Sequence, residues 1–192
     1  MSKQETTDYR AYRSTFTKKA QQIVQKLSLE EKIYLMSGLR TMEEVRKSIQ
    51  KKVNTHYNEV PYRAGGIDGK VPPVLFADGT KGVVCDRKTY TCFPVESMRG
   101  ASFDPMLEKE IGEAIGAEVL LAGANLFGGV CVNLPYHPGW GRAQETFGED
   151  PYLLGEMGAA LVEGVQTTGV IACVKHFAFN SMENARFEVD IT

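Results

Sequence analysis

Residues 130–151, VCVNLPYHPGWGRAQETFGEDP, decide the fold, because this stretch begins as a strand and ends at the start of a helix. Val130–Leu134 is a short apolar run that is typical of a buried strand. Asp150 and Pro151 predict a helix N-terminus, with a carboxylate cap and a proline in the first turn. The loop between these elements carries the only tryptophan of the chain. Such a loop, held between two regular elements, is where a functional site is expected.

The same order of strand, long loop and helix occurs once before this stretch, and a third strand follows it. Pro73–Ala77 predicts a buried strand, and Asp104–Pro105 opens a helix with an apolar residue at every fourth position. The helix that starts at Asp150 carries a similar stripe, and Val170–Val174 is the third apolar run. Apolar strands that alternate with amphipathic helices predict an α/β fold, whose parallel sheet is covered on both faces.

The residues before the first strand predict an arm followed by helices. Met1–Thr17 is polar and predicts a loosely packed arm. Lys18–Lys26 predicts a helix, and Ser28 and Glu31 form the pattern of a capping box that opens a second helix. Thr41–Val53 predicts a third helix, because it starts at a threonine cap with acidic residues in its first turn.

Composition and charge exclude several classes of protein. With 43% apolar and 24% charged residues, the chain is expected to form a packed globular core. A net charge of −2 offers no electrostatic attraction for nucleic acid or an anionic membrane. No run approaches the roughly 20 apolar residues of a membrane helix. Met1–Lys26 lacks the apolar core of a signal peptide, which predicts a cytoplasmic protein.

The four cysteines and three histidines predict neither a metal site nor a disulfide framework. They do not cluster at ligand spacing, so no metal is expected. Cys131 and Cys173 lie in apolar runs and are predicted to be buried thiols, while a Cys85–Cys92 pair across a loop stays open. The glycine-rich nucleotide motifs and the GxSxG elbow are missing, so no cofactor is expected.

Polar side chains follow each predicted strand. Asp78 follows the first, Arg142 lies in the loop after the second, and Lys175 and His176 follow the third. Both forms of the fold class, the barrel and the open sheet, place their sites at the carboxyl ends of the strands. A carboxylate can accept hydrogen bonds from two neighbouring hydroxyls, and a guanidinium can clamp vicinal hydroxyls. Charge-assisted bonds of roughly 1.5–3 kcal/mol each could hold a neutral sugar.

Each of these residues also has a purely structural alternative. Asp78 precedes a glycine and could be a turn residue, while Arg142 could pair with Glu145 on the surface. Trp140 could belong to the core, or it could offer an aromatic face on which a sugar stacks. Lys175 ends an apolar run, where an ammonium is poorly solvated and needs a partner.

Three motifs, in this order, resemble the amino-terminal domain of glycoside hydrolase family 3. They are DGTKG at 78–82, GRAQETFGEDP at 141–151 and KHFAFNSMENAR at 175–186. The resemblance runs from about Gln22 to the end of the chain. It implies the first part of a (β/α)8 barrel preceded by an N-terminal helical segment. Residues 1–55 would be the arm and helices that pack on the barrel, and residues 56–192 its incomplete first half.

This resemblance implies a retaining β-glucosidase, which hydrolyses the terminal non-reducing β-D-glucosyl residue of a β-glucoside or oligosaccharide. β-Xylosidase or another exo-glycosidase of the family, and a non-catalytic sugar-binding fragment, stay open as alternatives. The resemblance implies that the substrate-binding residues are Asp78, Arg142, Lys175, His176 and Arg186. Trp140 and Lys81 are further candidates for substrate binding.

Two departures from the family pattern affect the predicted activity. The loop after the first strand usually reads Asp-Gly-Pro with a later Arg, but Thr80 and Val84 occupy those positions and Lys81 is the candidate replacement charge. Retaining enzymes also need two carboxyl groups about 5–5.5 Å apart. The resemblance places the nucleophile Asp and the acid/base beyond Thr192, so no catalytic residue is expected here.

The expected partners follow from this second departure. The rest of the barrel and the C-terminal domains would come from the same longer chain or from a second chain. Without them the chain alone is expected to be inactive. Homo-oligomerisation is left open by the sequence.

Overall fold

The computed structural model describes residues 9–38, 62–85 and 88–184, together with the single residues 43, 47, 186, 188 and 190. The helices with described bounds are α1 (Tyr9–Ser14), α2 (Thr17–Gln25), α3 (Leu29–Leu35), α4 (Glu96–Gly100), α5 (Pro105–Leu121) and α6 (Pro151–Thr167). The strands are β1 (Tyr62–Ala64), β2 (Val74–Ala77), β3 (Leu126–Cys131) and β4 (Ile171–Lys175). The chain divides into two compact units, residues 1–39 with 64–73 and residues 40–63 with 74–192.

The first unit contains α1, α2 and α3. The predicted capping box is confirmed: the Glu31 N–H donates to Ser28 Oγ over 3.1 Å, and the Ser28 N–H donates to Glu31 Oε2 over 2.8 Å. Helix α1 lies in the predicted arm, where Tyr12 and Phe16 pack edge to face with 5.3 Å between ring centroids. Of the predicted helix Thr41–Val53 the structure describes only Glu43 and Lys47, both helical, and the boundary between residues 55 and 56 lies outside the described residues.

The sheet has the strand order β1-β2-β3-β4, and β2, β3 and β4 lie in the second unit together with Tyr62 and Arg63 of β1. β2 pairs in parallel with β3, and β3 pairs in parallel with β4. Parallel neighbours require a crossover connection, and α5 and α6 provide these two crossovers. The predicted alternation of parallel strands and helices is therefore confirmed.

Both crossover helices begin at the predicted caps. Asp104 Oδ1 accepts hydrogen bonds of 3.0 and 3.1 Å from the N–H groups of Met106 and Leu107. Asp150 Oδ1 accepts one of 2.9 Å from the Leu153 N–H. Each helix buries an apolar stripe in the core of the second unit. The stripes comprise Ile111, Ile115, Val119, Leu154, Met157, Leu161 and Val165.

The position of the middle strand differs from the sequence prediction. Val130–Leu134 was expected, but β3 covers Leu126–Cys131 and includes two glycines, which strands usually disfavour. A Cβ atom added to Gly128 would lie 2.4 Å from the ring of Phe76 on β2. One added to Gly129 would lie 2.1 Å from the carbonyl oxygen of Gly79. The glycines therefore mark the close approach of β2 and its following loop.

The prediction that every strand is covered holds for β3 and is wrong for β4. β3 is buried from its second residue onward, and Cys131 is fully buried as predicted. On β4, by contrast, Ile171 is 49% exposed, Val174 is 51% exposed, and Cys173 is an exposed thiol. β4 stands last in the strand order, so β3 alone pairs with it in the described part of the chain.

Sequence patterns also missed the short helix α4. It lies in the long loop predicted between the strand Pro73–Ala77 and the helix that starts at Asp104. Its N-cap, Val95, makes no side-chain capping bond, so the usual start signal is missing. The four cysteines are free thiols, including Cys85 and Cys92, whose pairing had been left open. None of the described helices has both the length and the apolar character needed to span a membrane.

Candidate functional site

The loop after β2 places the first predicted site residue, Asp78. The N–H of Val84 donates to the carbonyl oxygen of Asp78 over 2.7 Å, which closes a tight turn. Gly79 and Gly82 adopt φ values of 119° and 125°, where residues with side chains are strained. The Asp78 side chain also accepts a 2.8 Å hydrogen bond from the Gly79 N–H. The glycines thus allow the turn that directs this carboxylate along the sheet edge.

Asp78 meets Lys175, the last residue of β4. The Lys175 ammonium lies 3.0 Å from Asp78 Oδ1, with the two side chains 15% and 16% exposed. Asp78 approaches the middle of β3, where a Cβ atom added to Gly128 would lie only 3.6 Å from Asp78 Oδ1. The expected partner of a poorly solvated lysine is therefore this carboxylate, supplied by a strand two positions away.

Arg142, in the loop after β3, is held by Glu145. Its Nε and Nη2 donate to the two carboxylate oxygens over 3.0 and 2.6 Å. This two-point contact raises the pKa of Arg142. The third nitrogen, Nη1, lies 2.8 Å from His176 Nε2. The pairing of Arg142 with Glu145, which the sequence left open, is therefore present. It directs the guanidinium towards β4.

His176 is held from both sides of its ring. Nδ1 lies 2.7 Å from Asn133 Oδ1, which also accepts the His176 backbone N–H over 3.0 Å. Because the Asn133 amide nitrogen donates to the Asn180 carbonyl, its oxygen must face the ring. Nδ1 therefore carries the proton, and Nε2 accepts from Arg142. Burial, together with the neighbouring charges of Arg142 and Lys175, lowers the pKa of His176 to about 4.

Glu183 joins the third motif to the loop after β3. It accepts hydrogen bonds of 3.3 Å from Trp140 Nε1, 3.3 Å from Asn180 Nδ2 and 3.0 Å from Arg186 Nη1. Arg142 Nη1 lies 3.9 Å away. Trp140 is 3% exposed, so its ring belongs to the interior and is not presented as a stacking surface. Its N–H instead fixes the carboxylate between two arginines.

The structure brings most of the predicted residues together. We call the four that meet at the strand ends, Asp78, Arg142, Lys175 and His176, the strand-end cluster. Arg186 reaches it through Glu183, while Lys81 is exposed on the turn after β2. Whether these residues bind a sugar stays a prediction.

Two organising residues were given no site role from the sequence. Asn133 orients His176, and Glu183 links Arg186 to the loop after β3. An amide that interrupts an apolar run, as Asn133 does, was the available signal. The sequence offers Glu145 as an alternative partner of Arg142, and the structure shows that contact.

A cavity of about 180 Å³ adjoins the cluster. Asn133, Lys175 and His176 provide its polar wall, and Tyr136 and Phe179 are among its aromatic lining residues. Apolar surface with a few polar groups is the usual make-up of a small-molecule site. Asp78 and Arg142 are not among the lining residues, so the cavity covers only part of the cluster.

Comparison with curated proteins gives related sequences over most of the chain. Beta-glucosidase B of Emericella nidulans is 34% identical over 172 residues, which cover 88% of this chain and 18% of that protein. Thermostable beta-glucosidase B of Acetivibrio thermocellus is 32% identical over 179 residues, with coverages of 88% and 21%. The chain therefore spans about a fifth of the length of these relatives.

Solved structures share the fold. Beta-glucosidase 3B from Thermotoga neapolitana, in complex with alpha-D-glucose, superposes with a TM-score of 0.71 at 31% identity, covering 86% of this chain and 24% of that one. The Bifidobacterium adolescentis GH3 beta-glucosidase gives 0.70 at 31% identity, with coverages of 84% and 21%. The predicted fold, the opening part of a (β/α)8 barrel, is confirmed. Residues 13–186 match the family described as "Glycosyl hydrolase family 3 N terminal domain", and the chain belongs to that family.

Proposed function

We propose that this chain supplies the glucose-binding part of a retaining β-glucosidase site. The observation that carries the proposal is the convergence of the strand-end cluster at the carboxyl ends of β2 and β4 and in the loop after β3. Barrel enzymes bind their substrates at this end of the strands. The names of the similar proteins, which are β-glucosidases, support glucose as the sugar.

The cluster offers the donors and acceptors that a sugar ring requires. The Lys175 ammonium has three donors, and one of them holds Asp78. Arg142 is positioned by Glu145 and His176, so its planar fork is ordered before a ligand arrives. We assign hydroxyl binding to Asp78, Lys175, Arg142 and Arg186. His176, with both ring nitrogens engaged, orients Arg142.

We further propose that the nucleophile and the acid/base come from other residues. The carboxylates of Asp78, Glu145 and Glu183 each contact a cation, whereas a general acid must carry a proton. Two carboxyl groups with strongly raised pKa values, Glu96 and Glu108, are fully buried between α4 and α5. Neither can reach a bound sugar.

The exposed apolar side chains of β4, the last strand of the sheet, support additional protein at this site. Ile171 and Val174 are about half exposed, although they belong to an apolar strand. Apolar edge strands invite unwanted pairing, and native proteins cover them or close the sheet. We propose that further barrel strands, from the same chain or a second one, cover β4 and carry the catalytic carboxylates.

The test combines binding with turnover. We expect calorimetry to detect glucose binding by the purified chain. We expect the intact 21.2 kDa species, verified by mass spectrometry, to release no p-nitrophenol from p-nitrophenyl β-D-glucoside. Lys175→Met should weaken glucose binding ten- to a hundredfold, because it removes a charged donor and the cation that faces Asp78. A parallel xylose titration tests the alternative sugar.

Lys109→Met is the matched control, since it removes a lysine from the Lys109–Glu163 pair on the outer helices. Its glucose affinity should equal that of the parent protein. Full hydrolytic activity from the intact chain alone would overturn the division between binding and catalysis. Equal losses in the Lys175 and Lys109 variants would overturn the proposed site.

A further inference from the structure

A second group of charges lies outside the strand-end cluster. Glu96 and Arg99 on α4 and Glu108 on α5 have side chains that are between 0% and 2% exposed, and we call them the helix cluster. Arg99 Nη2 lies 3.4 Å from Glu96 Oε1, and Arg99 Nε lies 3.5 Å from Glu108 Oε2. Both separations are longer than a direct charge-assisted hydrogen bond.

Burying charged groups between two helices is energetically unfavourable. Removing charges from water costs several kcal/mol per ion, and a packed apolar group would usually hold the helices as well. Two carboxyl groups also share a single guanidinium. Burial raises the pKa of Glu96 to about 9 and that of Glu108 to about 7, so the cluster carries an extra proton at neutral pH. The arrangement is better explained by what else Arg99 contacts.

Arg99 contacts the turn that follows β2. Its Nη2 donates over 3.1 Å to the backbone carbonyl oxygen of Thr80, which is itself buried. Thr80 lies two residues after Asp78, inside the turn closed by the bond from Val84 to Asp78. The direction of the Thr80 carbonyl therefore depends on Arg99.

The same side chain contacts the loop after β3. The Arg99 guanidinium carbon lies 5.7 Å from the centre of the Phe147 ring, within cation–π range. A Cβ atom added to Gly100 would lie 1.9 Å from the carbonyl oxygen of Phe147, so α4 rests directly on this backbone. Phe147 is fully buried and follows Glu145, the residue that holds Arg142.

We propose that Arg99 is a positioning residue that fixes the turn carrying Asp78 relative to the loop carrying Arg142. Glu96 and Glu108 flank the guanidinium at 3.4 and 3.5 Å, while its Nη2 donates to the Thr80 carbonyl oxygen. A planar guanidinium can donate to a carbonyl with one edge while its face lies against an aromatic ring, which a lysine cannot reproduce. The effect of Arg99 on sugar binding rests on the proposed function. Its effect on the relative position of the Asp78 turn and the Arg142 loop does not.

Hydrogen exchange measured by NMR tests the coupling without a ligand. The two reporters are the Val84 amide, which donates to Asp78, and the Glu145 amide, which donates to the Arg142 carbonyl over 2.9 Å. In Arg99→Met we expect both amides to exchange at least tenfold faster through local opening of the two loops. The interior amides of α6 should change only by the factor that the loss of global stability, measured by urea unfolding, accounts for. In Arg99→Lys the exchange rate of the Val84 amide should lie between those of the parent protein and Arg99→Met. The exchange rate of the Glu145 amide should stay close to that in Arg99→Met.

Ile115→Val is the control, because it removes one methylene from a fully buried residue of α5 that belongs to neither loop. It should alter exchange evenly across the second unit. Uniform acceleration in Arg99→Met, or unchanged Val84 and Glu145 amides, would overturn the inference. If Arg99→Met does not fold, Arg99→Lys decides by the same two amides. Should the parent chain fail to bind glucose, the proposed function falls while the exchange result still decides the role of Arg99.

Discussion

The strand-end cluster and the helix cluster lie in the same unit but differ in burial and in contact distance. In the strand-end cluster, contacts are short, 2.6–3.0 Å around Arg142 and Lys175, and the side chains keep 15–21% of their surface exposed. In the helix cluster, contacts are 3.4–3.5 Å and the side chains are 0–2% exposed. Partly hydrated charges can exchange one partner for a ligand, whereas fully buried charges are inaccessible to a ligand. The first arrangement suits binding, and the second suits a fixed support.

The largest expected effect separates the two clusters by stability. Arg99→Met should lower the free energy of unfolding by about 3–5 kcal/mol, because it leaves buried carboxyl groups without their cation. Arg142→Met should cost about 1–2 kcal/mol, since Glu145 can be hydrated once its partner is gone. Urea unfolding monitored by circular dichroism measures both.

Lys109→Met is the reference for a surface ion pair and should change stability by less than about 1 kcal/mol. Similar losses in the Arg99 and Arg142 variants would contradict the distinction between the clusters. So would a loss for Arg99→Met no larger than that for Lys109→Met.

The strand-end cluster could be predicted from the sequence because its position follows from the order and direction of the strands. Apolar runs and capped helices predicted parallel strands, and parallel strands bring their carboxyl ends to one edge. Asp78, Lys175 and His176 follow such runs directly, so their meeting required no knowledge of side-chain packing. What the pattern could not give was the orientation supplied by Asn133 and Glu183, which depends on loop conformation.

The helix cluster could not be predicted in the same way. Arg99 lay in a predicted loop, because α4 has no capping side chain to mark its start. Glu108 stands in the first turn of α5, where a carboxylate ordinarily interacts with the helix dipole at the surface. The shifted position of β3 has a related cause. Glycines 128 and 129 lack strand propensity, and only the neighbouring Phe76 ring and Gly79 carbonyl explain their presence.

A smaller effect concerns the pH dependence of the helix cluster. Burial raises the pKa of Glu96 to about 9, so the native state retains a proton that the unfolded chain loses above about 4.5. This contribution to stability is complete below about pH 4.5 and is lost as the pH rises through about 9. Between pH 5 and 8 the loss should be on the order of 3 kcal/mol. The charged and titratable groups that act on Glu96 are Arg99, Glu108, Glu145 and Cys131.

Glu96→Gln tests this pH dependence, because it keeps the shape of the protonated side chain and removes its titration. Urea midpoints measured from pH 5 to 8 should fall with rising pH throughout in the parent protein. In the variant they should fall less steeply and level off above about pH 7, because only the raised pKa of Glu108 remains. Glu163→Gln, at the exposed pair with Lys109, is the control and should reproduce the parent slope. Parallel slopes in the parent and the Glu96 variant would show that Glu96 does not hold the extra proton.

The smallest effect has the opposite sign and belongs to the strand-end cluster. The pKa of His176 is lowered to about 4, so the native ring stays neutral while the unfolded chain takes up a proton below about 6.5. Its contribution to stability is present above about pH 6.5 and is lost as the pH falls through about 4. Because the ring is only partly buried, we expect a loss of about 1–2 kcal/mol. The charged groups around the ring are Arg142, Lys175, Glu145 and Glu183.

His176→Gln should remove this acid-side slope while keeping a group that can accept from Arg142. His137→Gln is the matched control, because His137 is an exposed loop residue whose ring bonds only locally, to the Gly139 N–H. As the pH falls from 7 to 4, the unfolding midpoint of the parent protein should approach that of the His176 variant. The difference between the parent protein and the His137 variant should stay constant over the same range. A His176 variant that tracks the parent protein throughout this range would mean that the ring takes up its proton as readily in the native state as in the unfolded chain. Arg142 would then need a different partner, and the neutral-histidine geometry of the strand-end cluster would be lost.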